Sequence, residues 1–279
     1  MSAGYLPVVA EVSEVRAETP PGDRAIKTIR VQKDGRAPFP HRPGQCAMLS
    51  AFGRGEAMIS IACPPNDEYL EFSILLQGQV TTGLQYLEKG ESIALRGPYG
   101  NSFPVEEWRG KRILVIGGGI GIAPLRSVYG SVLKHMGDYA GLDIFYGARS
   151  SEYLIYRQEF FEMMREGRAR VYLSVDRPEP GWGEFVGFVV NNLLRVAPSP
   201  ENTIAITCGP PIHIKVTLEA LKKLGFADGQ IYTTLERKMK CGIGKCGRCN
   251  IGSVYTCTSG PVFSYEQIRK LPPEGLPDK

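Results

Sequence analysis

The chain has 279 residues, of which 43% are hydrophobic and 22% charged, a composition that is ordinary for a globular protein and argues against extensive disorder. The net charge of +4 is a small excess without a long basic run, so we expect no nucleic-acid partner. The longest apolar run, 113–125, is broken by glycines and too short to span a bilayer, and the N-terminus lacks a secretory pattern, so we expect a cytoplasmic protein.

The first hundred residues predict antiparallel strands. Short segments that mix β-branched and polar residues are separated by turns rich in Pro, Gly and Asp. The predicted strands cover 8–15, 25–32, 45–49, 69–76 and 92–96. Strands of this length and spacing are typical of a small β-barrel.

From about residue 106 the pattern changes to apolar strands that alternate with helices. The predicted strands are 111–116, 142–146, 170–175 and 203–207, and the predicted helices are 124–136, 152–166, 187–194 and 212–224. This alternation indicates a parallel sheet with crossover helices. The sequence therefore predicts an α+β multidomain chain, with an antiparallel β-barrel over 1–105, an α/β domain over 106–232 and a small cysteine-rich module over 233–279.

Four of the seven cysteines, Cys241, Cys246, Cys249 and Cys257, are spaced C-x4-C-x2-C-x7-C. Their clustering in a chain without a secretory signal indicates a metal site in a reducing compartment rather than a disulfide framework. The spacing is that of plant-type [2Fe–2S] ligation, whereas zinc sites usually have two separated C-x2-C pairs. The interspersed glycines allow backbone N–H groups to approach the sulfurs. We predict a [2Fe–2S] cluster, with structural zinc as the alternative.

A buried strand, 113–116, continues into four glycines within five residues and then into a helix. Glycine permits close approach of the backbone, and a helix N-terminus offers free N–H groups, which together suit a pyrophosphate. The frame Gly119-x-Gly121-x-x-Pro124 has proline where the usual fingerprint has its third glycine, a position that an early helical residue can occupy. We predict nucleotide binding here; the alternative is a tight turn without a ligand.

Taken together, the three modules resemble the ferredoxin–NADP reductase superfamily. The resemblance is narrower to its flavin and iron–sulfur subunits, as in dihydroorotate dehydrogenase, NAD(P)-linked nickel–iron hydrogenase and anaerobic sulfite reductase. It covers about residues 7–266 and is closest over 235–249 and 260–263. It implies an FAD-binding barrel, an NAD(P)-binding α/β domain and a C-terminal cluster module.

The resemblance implies a flavin site formed by two segments of the barrel. Ala57-Met58-Ile59-Ser60 occupies the place of the family's Arg-x-[Tyr/Ile]-Ser segment, and Ser60 matches the serine near flavin N5. Ala57 stands where the family arginine would be. The loop Gly78, Val80, Thr81 and Thr82 matches the flavin phosphate loop; without a flavin it is a polar helix cap.

The resemblance also implies a nicotinamide nucleotide site in the α/β domain. Gly119, Gly121 and Pro124 match the nucleotide loop, and Arg149 lies near the expected adenosine ribose. Cys208, Gly209 and Pro210 match the segment that faces the nicotinamide; the alternative for Cys208 is a buried strand-end cysteine. Arg149, Ser150 and Ser151 suit a 2′-phosphate whereas Glu152 suits a ribose hydroxyl, which leaves NADH and NADPH open.

The resulting hypothesis is an electron-transfer subunit in which Ser60 and Cys208 carry hydride exchange between NAD(P)H and FAD. The cluster then exchanges single electrons with another subunit of a hydrogenase-like, sulfite reductase-like or similar redox complex. The alternatives are a stand-alone NAD(P)H-dependent flavin reductase and a non-catalytic zinc- or cluster-bearing interaction subunit. The basic segment 236–240 is interpreted either as a solvated connector or as a docking surface or positive field near an anionic cofactor.

Overall fold

The computed structural model describes residues 6–272. Its N-terminal half is a six-stranded antiparallel sheet with the strand order β4-β3-β6-β1-β2-β5. The strands are β1 (Val8–Ala17), β2 (Ile26–Gln32), β3 (Cys46–Ala51), β4 (Gly55–Ser60), β5 (Leu70–Leu75) and β6 (Ser92–Tyr99), and helix α1 (Gln79–Gln85) follows β5.

The sheet curves so that its two edges meet. Just beyond β4, the Ala62 N–H donates to the Glu71 carbonyl on β5 at 2.8 Å. Side chains of all six strands and of α1 enclose one apolar core that includes Val12, Ile29, Leu49, Leu84 and Leu95. The predicted barrel is therefore present. Strand β4 was absent from the predicted strand series, because residues 53–55 are polar and glycine-rich and obscure its alternation.

The second half is a seven-stranded sheet with the order β10-β9-β8-β7-β11-β12-β15, in which β15 is Val262–Ser264 from the C-terminal segment. Its strands are parallel except for the last, which runs antiparallel to β12. The core strands and helices are β7 (Arg112–Gly118), α2 (Ile122–Lys134), β8 (Gly141–Ala148), α3 (Arg157–Glu166), β9 (Arg170–Val175), β10 (Phe185–Val186), α4 (Val189–Val196), β11 (Thr203–Cys208), α5 (Pro211–Lys223) and β12 (Ile231–Thr234).

Successive residues of β7 point to opposite faces of the sheet, which explains its uninterrupted apolar sequence. Ile113 and Val115 pack with α2 and α3, whereas Leu114 and Ile116 pack with α4 and α5. The helices thus cover both faces, as the βα alternation predicts.

One predicted helix, 152–166, is wrong in its first part. Residues Ser151–Tyr153 form a single 3-10 turn, and α3 begins only at Arg157. The helix cannot extend backwards because Tyr156 has a left-handed backbone (φ 57°), with its N–H donating to the Glu18 carboxylate at 3.0 Å. Contacts with the barrel therefore set this boundary.

The C-terminal segment contains the short elements β13 (Asn250–Ile251), β14 (Val254–Tyr255), α6 (Thr256–Ser259), β15 (Val262–Ser264) and α7 (Tyr265–Ile268). The chain leaves the sheet after β12 and rejoins it at β15, which pairs with β12. Part of the predicted module, 273–279, lies outside the described residues. Within residues 6–272, no helix is both long enough and apolar enough to cross a membrane.

Candidate functional site

The cysteine loop is shaped by glycines that adopt positive φ. Gly242, Gly244 and Gly247 have φ of 78°, 75° and 71°, values that other residues rarely adopt. The resulting turns direct backbone N–H groups at sulfur. The Cys241 thiol accepts from Ile243, Lys245 and Cys246 at 3.5, 3.3 and 3.4 Å, and the Cys257 thiol accepts from the Gly244 N–H at 3.1 Å.

The four clustered thiols influence one another. Cys246 lowers the pKa of Cys241, whereas Cys249 and Cys241 both raise the pKa of Cys257. Among the described residues, no three His, Cys, Asp or Glu side chains converge on a single ion position. Cys249 and Cys257 are 1% and 2% exposed, whereas Cys246 lies at the surface.

The surroundings of the thiols favour the thiolate form of Cys241. Partial burial raises the pKa of Cys241, but the three N–H groups and the Cys246 thiol lower it more strongly, to about 6. Burial and the neighbouring Cys249 raise the pKa of Cys257 to about 12. Thiolates that accept N–H hydrogen bonds are the donor set of iron–sulfur clusters, so these residues fit such a group.

The buried side of the cysteine loop packs against the antiparallel sheet. Six buried side chains form one sulfur-rich cluster there, in which every member except Tyr99 contains sulfur: Cys46, Met48, Tyr99, Met239, Cys249 and Cys257. Cys46 is 3% exposed and is the Cα partner of Ser60 on β4. The cysteine loop and the predicted flavin segment are thus neighbours.

The predicted flavin segment, Ala57–Ser60, lies on β4 and is half-buried. Met58 packs with the sulfur-rich cluster, whereas Ile59 packs with the barrel core. Because side chains alternate along a strand, Ser60 shares the face of Met58, and Ala57 shares the face of Ile59.

The predicted phosphate loop precedes α1 and is tied together by threonine hydroxyls. Thr81 Oγ1 accepts from the Gln77 and Gly78 N–H groups at 3.0 and 2.9 Å, and Thr82 Oγ1 donates to the Gly78 carbonyl at 2.8 Å. Val80 lies near the start of β4, since a Cβ built on Gly55 would be 3.5 Å from Val80 Cγ2. The loop and the start of β4 are therefore neighbours at one edge of the barrel.

Arg54, which the sequence interpretation did not single out, lies at this edge. Its side chain crosses α1 at Gly83, where a Cβ would be 2.6 Å from Arg54 Cδ. It is an exposed cation three residues before Ala57, which stands where the family arginine would be. Only the packing of the β3–β4 turn on α1 brings it there.

The predicted nucleotide residues meet at the carboxyl ends of two neighbouring parallel strands. Gly117 at the end of β7 is the Cα partner of Cys208 at the end of β11. A Cβ on Gly121 would overlap the Cys208 carbonyl and come within 2.5 Å of Gly209 Cα. Gly119 has φ 55°, and Pro124 is the third residue of α2, the early helical position expected for it.

His213 on α5 packs against a glycine of each of the two loops. A Cβ on Gly118 would be 2.7 Å from His213 Nδ1, and one on Gly209 would be 2.6 Å from Cδ2. The ring contacts the Thr207 hydroxyl through Nε2 at 3.2 Å. Burial lowers the pKa of His213 to about 4, so the ring is neutral at pH 7. Its role here is packing.

Cys208 is 3% exposed, and its thiol contacts the Thr234 hydroxyl at 3.0 Å. Burial and the negative charge of Glu236 raise the pKa of Cys208 to about 12, so it remains a neutral thiol. Thr234 and Glu236, at the end of β12, were not predicted as site residues. Their position after a strand next to β11 was the available signal.

Arg149, directly after β8, places its guanidinium 3.9 Å from the centre of the Tyr153 ring. The neighbouring Ser151 N–H donates to the Glu179 carboxylate at 3.1 and 3.2 Å. Glu179 comes from the loop after β9 and adds an acidic group to the predicted ribose region.

Comparison with protein families gives two matches. Residues 115–219 match the oxidoreductase NAD-binding domain, and residues 236–269 match the iron–sulfur cluster binding domain of dihydroorotate dehydrogenase B.

Comparison with individual proteins extends over most of the chain. It is 38% identical to the sulfhydrogenase 1 subunit gamma of Pyrococcus furiosus over 83% of this chain and 82% of that one. It is 30% identical to a probable dihydroorotate dehydrogenase B (NAD(+)) electron transfer subunit of Methanocaldococcus jannaschii, over 94% and 91%.

Solved structures share the fold. The NADH-dependent reduced ferredoxin–NADP oxidoreductase has a TM-score of 0.75 and 23% identity, over 96% of this chain and 91% of that one. The ferredoxin–NADP+ reductase of Neisseria gonorrhoeae with bound FAD and NADP has a TM-score of 0.67 and 19% identity, over 81% and 97%.

Proposed function

Because the chain belongs to the ferredoxin–NADP reductase-like family that includes sulfhydrogenase gamma subunits and dihydroorotate dehydrogenase electron-transfer subunits, we propose that it is the electron-transfer subunit of an NAD(P)-linked redox complex. It exchanges hydride between NAD(P)H and FAD, and single electrons between a [2Fe–2S] cluster and a partner subunit. The observation that carries this proposal is that Cys249 and Cys257 pack in one buried cluster with Cys46, the strand partner of Ser60.

When bound, the nicotinamide, flavin and cluster supply the redox chemistry, in which a hydride carrying two electrons is exchanged for two single-electron steps. The chain holds these groups close together, and the two side chains that lie against the nucleotide turn, Cys208 and His213, do not act there as a charged acid or base. Cys208 is a neutral thiol and His213 a neutral ring at pH 7, which fits a reaction that transfers hydride directly.

The spacing of the thiols supports a [2Fe–2S] cluster over zinc. A mononuclear zinc site usually has two separated C-x2-C pairs, whereas Cys241, Cys246 and Cys249 have the C-x4-C-x2-C spacing of plant-type clusters.

For FAD, we assign the flavin ring to the face of β4 that carries Met58 and Ser60, and the diphosphate to the loop 78–82. Arg54 then supplies the positive charge that Ala57 lacks. For the nicotinamide nucleotide, Gly119 would leave space for the pyrophosphate, Gly121 lets its turn pack against Cys208 and Gly209, and Cys208–Pro210 would face the nicotinamide.

The exposed edge of the cysteine loop supports docking of a partner. Residues 237–248 contain no acidic residue and five exposed basic ones, Arg237, Lys238, Lys240, Lys245 and Arg248. This basic segment contains Cys246, the exposed cysteine of the four. It fits a partner subunit with an acidic surface around its own single-electron centre. A stand-alone flavin reductase has no need of such an edge.

All seven cysteines lie in the described residues and all are free thiols. This supports a reducing compartment such as the cytoplasm.

The decisive experiment is chemical analysis of the anaerobically reconstituted chain. We expect about two iron and two sulfide per chain, with one FAD and an absorption spectrum containing flavin and cluster bands. Cys249→Ser should lose most of the iron, whereas Cys208→Ser, a buried cysteine outside the loop, should retain it. A colourless protein containing zinc would refute the proposal and favour the interaction-subunit alternative.

A further inference from the structure

Arg96 on β6 uses its whole guanidinium to join the antiparallel sheet to the cysteine loop. Nη1 donates to the Cys241 carbonyl at 2.9 Å, and Nη2 to the Lys240 carbonyl at 3.1 Å. Nε and Nη2 donate to the two carboxylate oxygens of Glu56 at 3.1 and 2.8 Å. Nη1 also contacts the Tyr99 hydroxyl at 3.0 Å.

The surroundings of Arg96 limit the movement of the backbone that it binds. Arg96 is 11% exposed, so its hydrogen bonds are partly shielded from water. The Tyr99 ring packs against Gly242, where an added Cβ would be 2.9 Å from three ring carbons. The peptide between Cys241 and Gly242 is thus held between a guanidinium and an aromatic ring.

The other end of the linkage reaches the predicted flavin segment. Glu56 directly precedes Ala57 on β4 and also accepts from the Ser50 hydroxyl on β3 at 3.1 Å. A single arginine therefore connects the first cysteine of the loop to the strand that is assigned to the flavin ring. Of the groups bonded to the guanidinium, only the two carbonyls belong to the loop.

We infer that Arg96 is a positioning residue that fixes the cysteine loop against the flavin strand and so sets the separation between flavin and cluster. The inference rests on the proposed function. Arg96 was not among the residues that the sequence singled out, and the planar fork of arginine is required because lysine cannot donate to two carbonyls and a carboxylate at once.

The first test is hydrogen exchange of the full chain, with and without the reconstituted cluster, for Arg96→Gln and wild type. Loss of the charge-assisted hydrogen bonds to two carbonyls should raise amide exchange over 241–246 about tenfold or more. Exchange over β8 should not change. Arg112→Gln is the matched control, because Arg112 also binds a carboxylate and a carbonyl, those of Asp143 and Ala140, but in the other sheet.

The second test is electron paramagnetic resonance of the reduced, reconstituted chain. Arg96→Gln should broaden or split the cluster signal, and Arg96→Lys should not restore it, because the geometry and not the charge is needed. Glu56→Gln leaves both carbonyl contacts of Arg96 possible and should therefore give an intermediate effect. If Arg96→Gln does not fold, Glu56→Gln takes its place in the comparison.

Exchange and spectra of Arg96→Gln that superimpose on those of wild type would overturn the inference. Full restoration by Arg96→Lys would also overturn it. If the wild-type chain binds no iron, the proposed function fails instead, and the exchange experiment on the cluster-free chain still decides whether Arg96 holds the loop.

Discussion

Cys46 and Ser60 lie opposite each other on β3 and β4, and Cys46 belongs to the buried cluster that contains Cys249 and Cys257. Two sites that are almost two hundred residues apart in sequence are thereby separated by one strand. Through this packing the sheet places the strand that we assign to the flavin next to the cysteine loop, an arrangement that can be tested directly.

Cys46→Met should loosen the contact between the sheet and the cysteine loop. A longer side chain in a filled core costs about 1–3 kcal/mol through displacement of its neighbours. We expect a chelator to remove iron faster from this variant than from wild type, as measured by the loss of cluster absorbance. Cys63→Met is the matched control, because Cys63 is fully buried in the barrel core. It should lower stability in urea without accelerating iron loss; equal iron loss in both variants would contradict the assigned contact.

Arg54→Ala should weaken FAD binding about three- to tenfold, since it removes one exposed charge-assisted contact to a phosphate. Titration of the flavin-free chain with FAD, followed by fluorescence, measures this. Arg24→Ala removes an exposed arginine from the turn before β2 and should leave the affinity unchanged. Equal affinities for all three proteins would show that another group balances the diphosphate.

Gly121→Ala should impair use of the nicotinamide nucleotide. Its Cβ would overlap the Cys208 carbonyl and Gly209, so the two loops must separate at a cost of about 1–3 kcal/mol. We expect KM for NAD(P)H with an artificial acceptor to rise about tenfold. Gly137→Ala, which has open space around its Cβ, should behave as wild type. A normal KM for Gly121→Ala would argue against a nucleotide at this turn.

His213 should make stability fall as pH decreases from neutrality. Burial holds its pKa at about 4, below the ordinary value of about 6.5, so the unfolded chain takes up a proton first. Stability is therefore lost between about pH 6.5 and 4, by about 1–2 kcal/mol at pH 5. Urea unfolding at pH 7 and 5 should show a smaller difference for His213→Gln than for wild type. An identical pH dependence would mean that the ring is accessible to protons when folded.

The basic segment that contains Cys246 should make partner binding sensitive to salt. Lys238→Glu with Lys240→Glu places two acidic groups where we expect an acidic partner surface, and rim charges act mainly on the association rate. Less partner subunit should co-purify with the tagged variant from its native cells, and more salt should reduce recovery with wild type. Lys33→Glu with Lys89→Glu makes the same charge change at two exposed positions just outside β2 and β6 and should have no effect.

The sequence by itself determined the local features. The cysteine spacing, the glycines that follow an apolar strand and the alternation of strands and helices each depend on residues close together in the chain. They were sufficient to indicate the family, both sheets and the cysteines proposed as ligands. The family resemblance then supplied candidates for the flavin and nucleotide contacts. The flavin candidates lie on β4 and in the loop before α1, and most nucleotide candidates lie at the carboxyl ends of β7 and β11.

Tertiary structure alone decided what connects these features. The start of α3 depends on Glu18 bonding to Tyr156, and the boundary of the C-terminal module depends on β15 returning to β12. The Arg96 linkage joins residues separated by 145 positions. No local pattern encodes such pairings, because each partner is an unexceptional residue in its own segment and the contact energy exists only after both sheets have formed.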